Sequence, residues 1–418
     1  MKLSLFKINH FNRSIKLILL WNVLFCLGLS LYVVLYNLYL MEFLSLKMIG
    51  RISGTGYISY AIFSVIGGLL ADKFGPRKVL QIGIYVLIVG FIGGLSSQST
   101  LLLSVCSIII GMGQAFTNTM FVPLLTEHSN ESERVKLFSV AFGTGNLFMF
   151  FGTLSSGIVA EKIASVFSLT NTLSFQMVII CAAVILLISG IPLLLVKQRY
   201  ILSPPTKVQT RQAFSWEKHQ LVLKFTCVKF MEGIGNGLSI PFINLFLVNR
   251  FDLSSSQISL FMSGAVFMTV IMIFVNPYIT KKYGEIRVLI TLQTLAIPCL
   301  IILGFSINIW ICTICFLGFR ALLFAMMPIQ SKIVMGKAPQ HIRGLTNSVG
   351  FMASMIGIGI AGPISMELVS TLGNYYGYGL TFSIASFCFA VAVSLFYYFF
   401  GTQKKELHRS LLLKKDLA

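Results

Sequence analysis

Charge is what this chain has least of. Only 11% of its 418 residues are Asp, Glu, Lys or Arg, against about a quarter in a soluble globular protein. Apolar types make up 56%, so little polar sequence remains to clothe a water-facing surface. Acids are scarcer than bases: 13 carboxylates stand against 32 cations, a formal net charge of +19. Histidine occurs only as His10, His128, His219, His341 and His408. All five fall in polar segments outside the apolar runs, so none is placed for proton work at membrane depth. The eight cysteines lie almost wholly inside apolar runs, which argues against a disulfide framework. Cys312 and Cys315 form a C-x-x-C without neighbouring His or Cys ligands, and packing is the simpler role for them. With no nucleotide loop, metal cluster or nucleophile constellation, nothing in the chain argues for an enzyme or a cofactor.

What is present is apolar sequence in long runs. Spans are predicted at about 15–41, 48–71, 79–97, 100–125, 138–160, 172–196, 221–248, 257–280, 287–305, 308–334, 344–371 and 374–400. The first run has no small-residue cleavage site behind it and reads as a retained span. Twelve crossings put both termini on one side. Short loops rich in Lys and Arg are held in the cytoplasm, and most of the cations, from Lys2 through the Lys73–Lys78 loop to Arg343 and the tail, fall on that same side. Both termini are therefore expected to be cytoplasmic, in a multi-pass protein of the cell membrane. The excess positive charge follows from topology and needs no nucleic-acid partner.

One long polar interval, KQRYILSPPTKVQTRQAFSWEKHQ at 197–220, divides the chain near its middle. The two sides repeat one another. GLSLYVVLYNLYL from Gly28 answers GLSIPFINLFL from Gly237, Ser53-Gly54 answers Ser263-Gly264, and Arg134 answers Arg343. The expected fold is an all-α integral membrane protein of twelve helices in two pseudo-symmetric halves, 1–196 and 221–400, joined by a cytoplasmic linker at 197–220. The basic tail, 401–418, reads as a surface-lying anchor.

A charged turn is also written twice. GGLLADKFGPRKVL occupies 67–80, and NPYITKKYGEIRVL occupies 276–289, where Lys281 replaces the Asp72 of the first copy. Gly75 permits a tight turn. An acid adds little to the positive-inside bias, so Asp72 calls for another reason. At the membrane face it can accept hydrogen bonds from exposed N–H groups at a neighbouring helix start.

The run Gly68-Leu69-Leu70-Ala71-Asp72-Lys73-Phe74-Gly75-Pro76-Arg77-Lys78, with the half-repeat and central linker, resembles the major facilitator superfamily over almost the whole chain. The resemblance implies the twelve-helix fold of that family and a secondary transporter working by alternating access, normally monomeric. It implies a conformational latch in which Gly68, Asp72, Gly75, Arg77 and Lys78 hold the halves together at the cytoplasmic side, Asp72 against helix eleven and Arg77 against Glu127, with Arg134 in the following loop. Two departures limit the analogy. Ser107 stands four residues before Gly111, where many proton-coupled members carry arginine, and GTGNLFMFFGTLSSG at 143–157 lacks the proline common in drug exporters.

By the same resemblance, helices one, four, seven and ten line a central cavity. Lys229, Glu232 and Asn236 share a face of helix seven, Gln114, Thr117 and Asn118 a face of helix four, and Arg320 lies midway along helix ten. Tyr32, Tyr36 and Asn37 in helix one, with Phe242 and Asn244 in helix seven, are candidate wall residues. A charge at mid-membrane costs of order 3 kcal/mol on insertion scales, so it is retained by pairing or by function. Two readings stay open: Lys229 and Glu232 neutralise each other, or Glu232 and Arg320 reach the cavity at similar depth and serve substrate or proton. Glu232 is the one carboxylate placed near the midplane. Export of a small amphipathic or hydrophobic compound, with proton coupling, is the favoured reading. Uptake of a small zwitterionic or anionic solute is the alternative, and a lipid translocase or non-transporting receptor is the alternative of another class.

Overall fold

The computed structural model describes residues 11–197, 216–339 and 342–401. The expected tail at 401–418 falls almost wholly outside the described residues, as do 198–215 of the expected linker at 197–220, whose last five residues already belong to the helix that begins at Trp216. Among the described residues every regular element is helical. The first half comprises α1 (Arg13–Met41), α2 (Leu46–Phe74), α3 (Pro76–Leu95), α4 (Thr100–Glu127), α5 (Glu131–Phe167) and α6 (Asn171–Leu194). The second opens with α7, a broken helix of three pieces, Trp216–Ser239, Ile240–Phe242 and Ile243–Phe251. It continues with α8 (Ser255–Tyr283), α9 (Glu285–Phe305) and α10 (Ile309–Lys337). The stretch Arg343–Phe396 is two helices, α11 and α12, turned apart at Gly373, whose φ is 78°. That makes twelve passes of membrane length.

The duplicated turn is reproduced in the backbone. Gly75 between α2 and α3 has φ 85° and ψ 149°, and Gly284 between α8 and α9 has φ 84° and ψ 148°. These are left-handed values that a side chain rarely adopts, which explains the glycine in both copies although the neighbouring residues differ. Pro76 then takes the first position of α3, where its missing N–H leaves no bond unmade.

We call the end carrying these turns the basic end and the other the far end. At the basic end the first half is tied to the end of α6. Arg77 Nη2 donates to the Leu194 carbonyl at 2.8 Å, so the partner the structure gives it is a helix-terminal carbonyl. The buried His128 ring lies between the Leu124 and Lys197 carbonyls, at 3.1 and 2.9 Å. The second half has Lys332 bonded to Glu285 at 2.5 Å, joining α10 to the start of α9. Arg134 approaches Glu131 at 3.9 Å within the first turns of α5. Lys78 lies exposed in the first turn of α3, and Asp72 in the last turn of α2.

The halves meet along three helix pairs, and the bonds between them gather at the far end. Lys47 and Arg51 of α2 reach Glu367 of α11, the second at 3.9 Å. Glu161 of α5 accepts from the Ser256 N–H of α8 at 2.9 Å and from the Ser255 hydroxyl at 3.3 Å. Ser259 Oγ lies 3.0 Å from Ser156 Oγ and accepts from the Gly157 N–H at 2.8 Å. The third pair, α1 with α7, is described below. Helix contact here is close: a Cβ on Gly54 would stand 2.6 Å from the Gly359 carbonyl oxygen and 2.7 Å from Pro363 Cγ. Small residues let two backbones approach, which is the main source of helix attraction in lipid. Toward the basic end, by contrast, a Cβ on Gly68 would meet nothing within 4 Å.

Candidate functional site

A cavity of about 210 Å³ lies between the halves. Tyr32, Tyr36 and Asn37 of α1, Gln114 of α4, Pro241 and Asn244 of α7 and Arg320 of α10 are in its wall. Of the residues expected there, Tyr32, Tyr36, Asn37, Gln114, Asn244 and Arg320 are brought together, and Phe242 does not line the cavity. Asn118 instead lines a smaller side pocket, with Trp21, Asn22, Phe25, Phe121 and Asn146, on the same face of the first half. Met149 lines both spaces.

Lys229, Glu232 and Asn236 line neither. Lys229 and Glu232 turn into the second half. Glu232 is 3% exposed, and its carboxylate takes Lys229 Nζ at 2.9 Å, Gln293 Nε2 of α9 at 3.0 Å and Gln330 Nε2 of α10 at 2.7 Å. Lys229 Nζ also donates to Gln330 Oε1. Three helices are thus joined by one fully ligated carboxylate. The expected similarity of depth is also corrected. Gln330, which touches Glu232, stands ten residues beyond Arg320 on α10, about 15 Å further toward the basic end.

Arg320 has the opposite surroundings. It makes no ion pair among the described residues, and its guanidinium lies over the Phe324 ring at 4.7 Å. Among the described residues no Asp, Glu or Lys lines the cavity with it. Hydroxyl and amide groups do: Tyr57 and Ser53 of α2, Ser107 and Gln114 of α4, and Thr153 of α5. The cavity is therefore a mostly apolar space holding one cation and several neutral hydrogen-bonding groups.

Ser107 explains its own departure from the arginine pattern. It is 6% exposed and donates to the Ile52 carbonyl of α2 at 2.7 Å. A Cβ on Gly56 would lie 2.6 Å from its hydroxyl, so α2 and α4 are too close here for a long side chain. Tyr57, Ser53 and Met149 escaped the sequence reading because nothing in their spacing separates a cavity wall from a helix contact. Gln293 and Gln330 carried a usable signal: each is an isolated amide in an apolar run, and such groups bind helices together.

The roof of the cavity, at its far end, is made by α1 and α7. Asn37 Nδ2 donates to the Pro241 carbonyl at 2.7 Å, and Asn244 Nδ2 donates to the Val34 carbonyl at 3.0 Å. The break in α7 supplies this geometry. Pro241 has no N–H and interrupts the helix, a 3₁₀ turn spans Ile240–Phe242, and Asn244 Oδ1 accepts from the Leu245 N–H as the helix restarts.

Several solved structures share this architecture. A bacterial homologue of the human lysosomal transporter Spinster aligns with a TM-score of 0.70 at 14% identity, covering 92% of this chain and 96% of its own. A protein described as a D-xylose-proton symporter gives 0.69 at 15% identity, over 90% and 96%. One from work on proton-dependent oligopeptide transporters gives 0.73 at 13% identity, over 94% and 99%. No curated protein sequence matches the chain. The sequence profile of the Major Facilitator Superfamily matches residues 18–226 and again 225–415, one match for each half of the bundle. The duplicated glycine turn, the twelve passes and the cavity between halves are accounted for together: the chain belongs to the Major Facilitator Superfamily of secondary transporters.

Proposed function

We propose that this secondary transporter moves a small organic anion with an apolar body, and that Arg320 receives the anionic group. The observation that carries the reading is a partly buried guanidinium in the wall of the central cavity with, among the described residues, no carboxylate lining that cavity. A desolvated cation without a counter-ion is costly, and an incoming carboxylate or phosphate would meet it as a charge-assisted, bidentate partner. Tyr32, Tyr36, Phe316, Ile110 and Ile240 surround the remaining space and suit an aromatic or aliphatic body. Of the sequence readings, the anionic solute keeps its cation. The zwitterionic solute loses its intended acid, because Glu232 is ligated elsewhere. The amphipathic cargo is retained as the body of the anion.

With the basic end cytoplasmic, the halves are closed toward the outside, and the state is one that loads from the cytoplasm. Export and uptake both pass through this state, and the direction of net anion movement in the vesicles separates them. The experiment is transport by the purified protein in liposomes, with panels of small carboxylates and phosphates, neutral amphipaths and organic cations, with and without a pH gradient. Competition and movement confined to the anions, lost in Arg320→Gln, is the expected result. Transport of neutral compounds by the parent and Arg320→Gln alike, or undiminished anion transport by Arg320→Gln, would overturn the reading.

A further inference from the structure

The two asparagines of the cavity roof stand in a relation that neither the fold nor the cargo requires. Asn37 opens the tetrapeptide NLYL of the first half, and Asn244 opens NLFL of the second. Each donates to the carbonyl three residues before the other: Asn37 to Pro241, Asn244 to Val34. The two bonds are thus exchanged across the axis that relates the halves. The side chains also approach each other, with Asn37 Nδ2 3.5 Å from Asn244 Oδ1. Two residues have been lost between the repeated GLS and NL elements of α7, and Pro241 breaks the helix, yet the register of the exchange is intact. Asn37, Asn244, Val34 and Pro241 all line the cavity, so the bonds face the space that cargo enters.

We infer that Asn37 and Asn244 are a reciprocal gate pair: they close the cavity toward the far end, and both bonds must break for the carrier to open there. The ion pairs across the halves are less suited to this. Lys47, Arg51 and Glu367 are between about a third and half exposed, where ion pairs contribute little, and they stand outside the cavity. Asn244 is 1% exposed. Its amide has no water to turn to when the far end is closed, which makes the bond a switch between a protein partner and an opened, wetted cavity.

Amide hydrogen exchange of the full chain in lipid nanodiscs tests the pair. The reporters are the far-end segments 34–41 and 241–251, and α3 and α12 serve as internal reference. Asn37→Ala and Asn244→Ala should each raise exchange in both segments by about fivefold, the worth of one hydrogen bond. The double variant should reach about tenfold, less than the product of the two, because the bonds act together. Asn37→Asp keeps the shape while replacing the donor by an acceptor, and should raise exchange at least as much as alanine. Asn37 is only partly buried, so its variants carry the test if Asn244→Ala fails to fold. Unchanged exchange in the Asn37 variants overturns the inference. So does a rise shared equally by α3 and α12, which would mean that the bonds serve general stability and no gate.

Discussion

Two charges of the second half, one on α7 and one on α10, have been treated in opposite ways. Glu232 is enclosed by a lysine and two glutamine amides from three helices. Arg320, about 15 Å away along α10, faces a cavity in which no described residue is an acid. Both residues are equally expensive to place in lipid by their side-chain type. What differs is who supplies the counter-charge: the protein supplies it for Glu232, and in the function proposed above the cargo supplies it for Arg320. Completeness of ligation, more than depth or charge, separates a structural ion from a binding group.

The comparison breaks most visibly if Glu232 is removed. Glu232→Ala leaves Lys229 buried without its anion, and the loss of stability should be about 3–5 kcal/mol, as for other buried pairs deprived of one partner. Equilibrium unfolding in mixed micelles measures it. The double variant Lys229→Met with Glu232→Leu should recover most of that loss, since apolar packing replaces a buried pair at little cost. Glu232→Gln should lower stability less. It should also leave cargo affinity near that of the parent, because the residue does not line the cavity. If instead it abolishes gradient-driven transport while sparing exchange, Glu232 has a coupling role beyond its structural one.

Arg320→Gln should show the reverse. Affinity for the anion should fall by about a hundredfold, in the range for losing one member of a desolvated charge pair, while the unfolding midpoint stays level or rises. Direct binding to the purified variant and its thermal unfolding, measured side by side, separate the two effects. A large loss of stability with unchanged affinity would make Arg320 a packing residue and exchange its role with that of Glu232.

The architecture was legible because hydropathy, cation placement and a half-repeat are all periodic in one dimension. Twelve runs, a polar interval and two glycine turns place the helices without knowledge of any contact. The site was legible only in part. Tyr36, Asn37, Gln114 and Arg320 were found because polar residues are rare in apolar runs. The face each helix presents was not readable: Lys229, Glu232 and Asn236 share a stripe of α7, and a stripe alone does not say whether it looks into the cavity or into its own half. The partner of Arg77 was equally hidden, because the carbonyl of Leu194 is 117 residues away and leaves no trace in side-chain type. Asn37 and Asn244 were visible as a repeated NL element, but the crossing of their bonds is a property of the fold.

A third substitution leaves both charges alone and moves the wall between the halves. Gly54→Val would place its side chain against the Gly359 carbonyl and Pro363, where even a Cβ stands at 2.6 and 2.7 Å. Overpacking of this kind costs about 1–3 kcal/mol, and it falls on the far-end-closed state. Exchange should rise in α2 and α11 near the contact, with the Glu232 cluster unaffected and the Arg320 cavity more accessible from the far end. Matching rises around Glu232 would show that the second half is less rigid than its ligated carboxylate implies.

The smallest effect is expected where charges are most conspicuous. Lys47 and Arg51 meet Glu367 across the halves at the far end, with side-chain exposures of 38%, 54% and 41%. Water screens such pairs, and ordering the long side chains opposes their attraction, so Glu367→Gln should cost about 0–1 kcal/mol of far-end closure. The cost should shrink further in high salt. Exchange in segments 46–54 and 359–367, compared at low and high ionic strength, measures it. An effect above that range and insensitive to salt would mean that this pair is drier than its exposure indicates, and that the gate depends on an ion pair as much as on the asparagines.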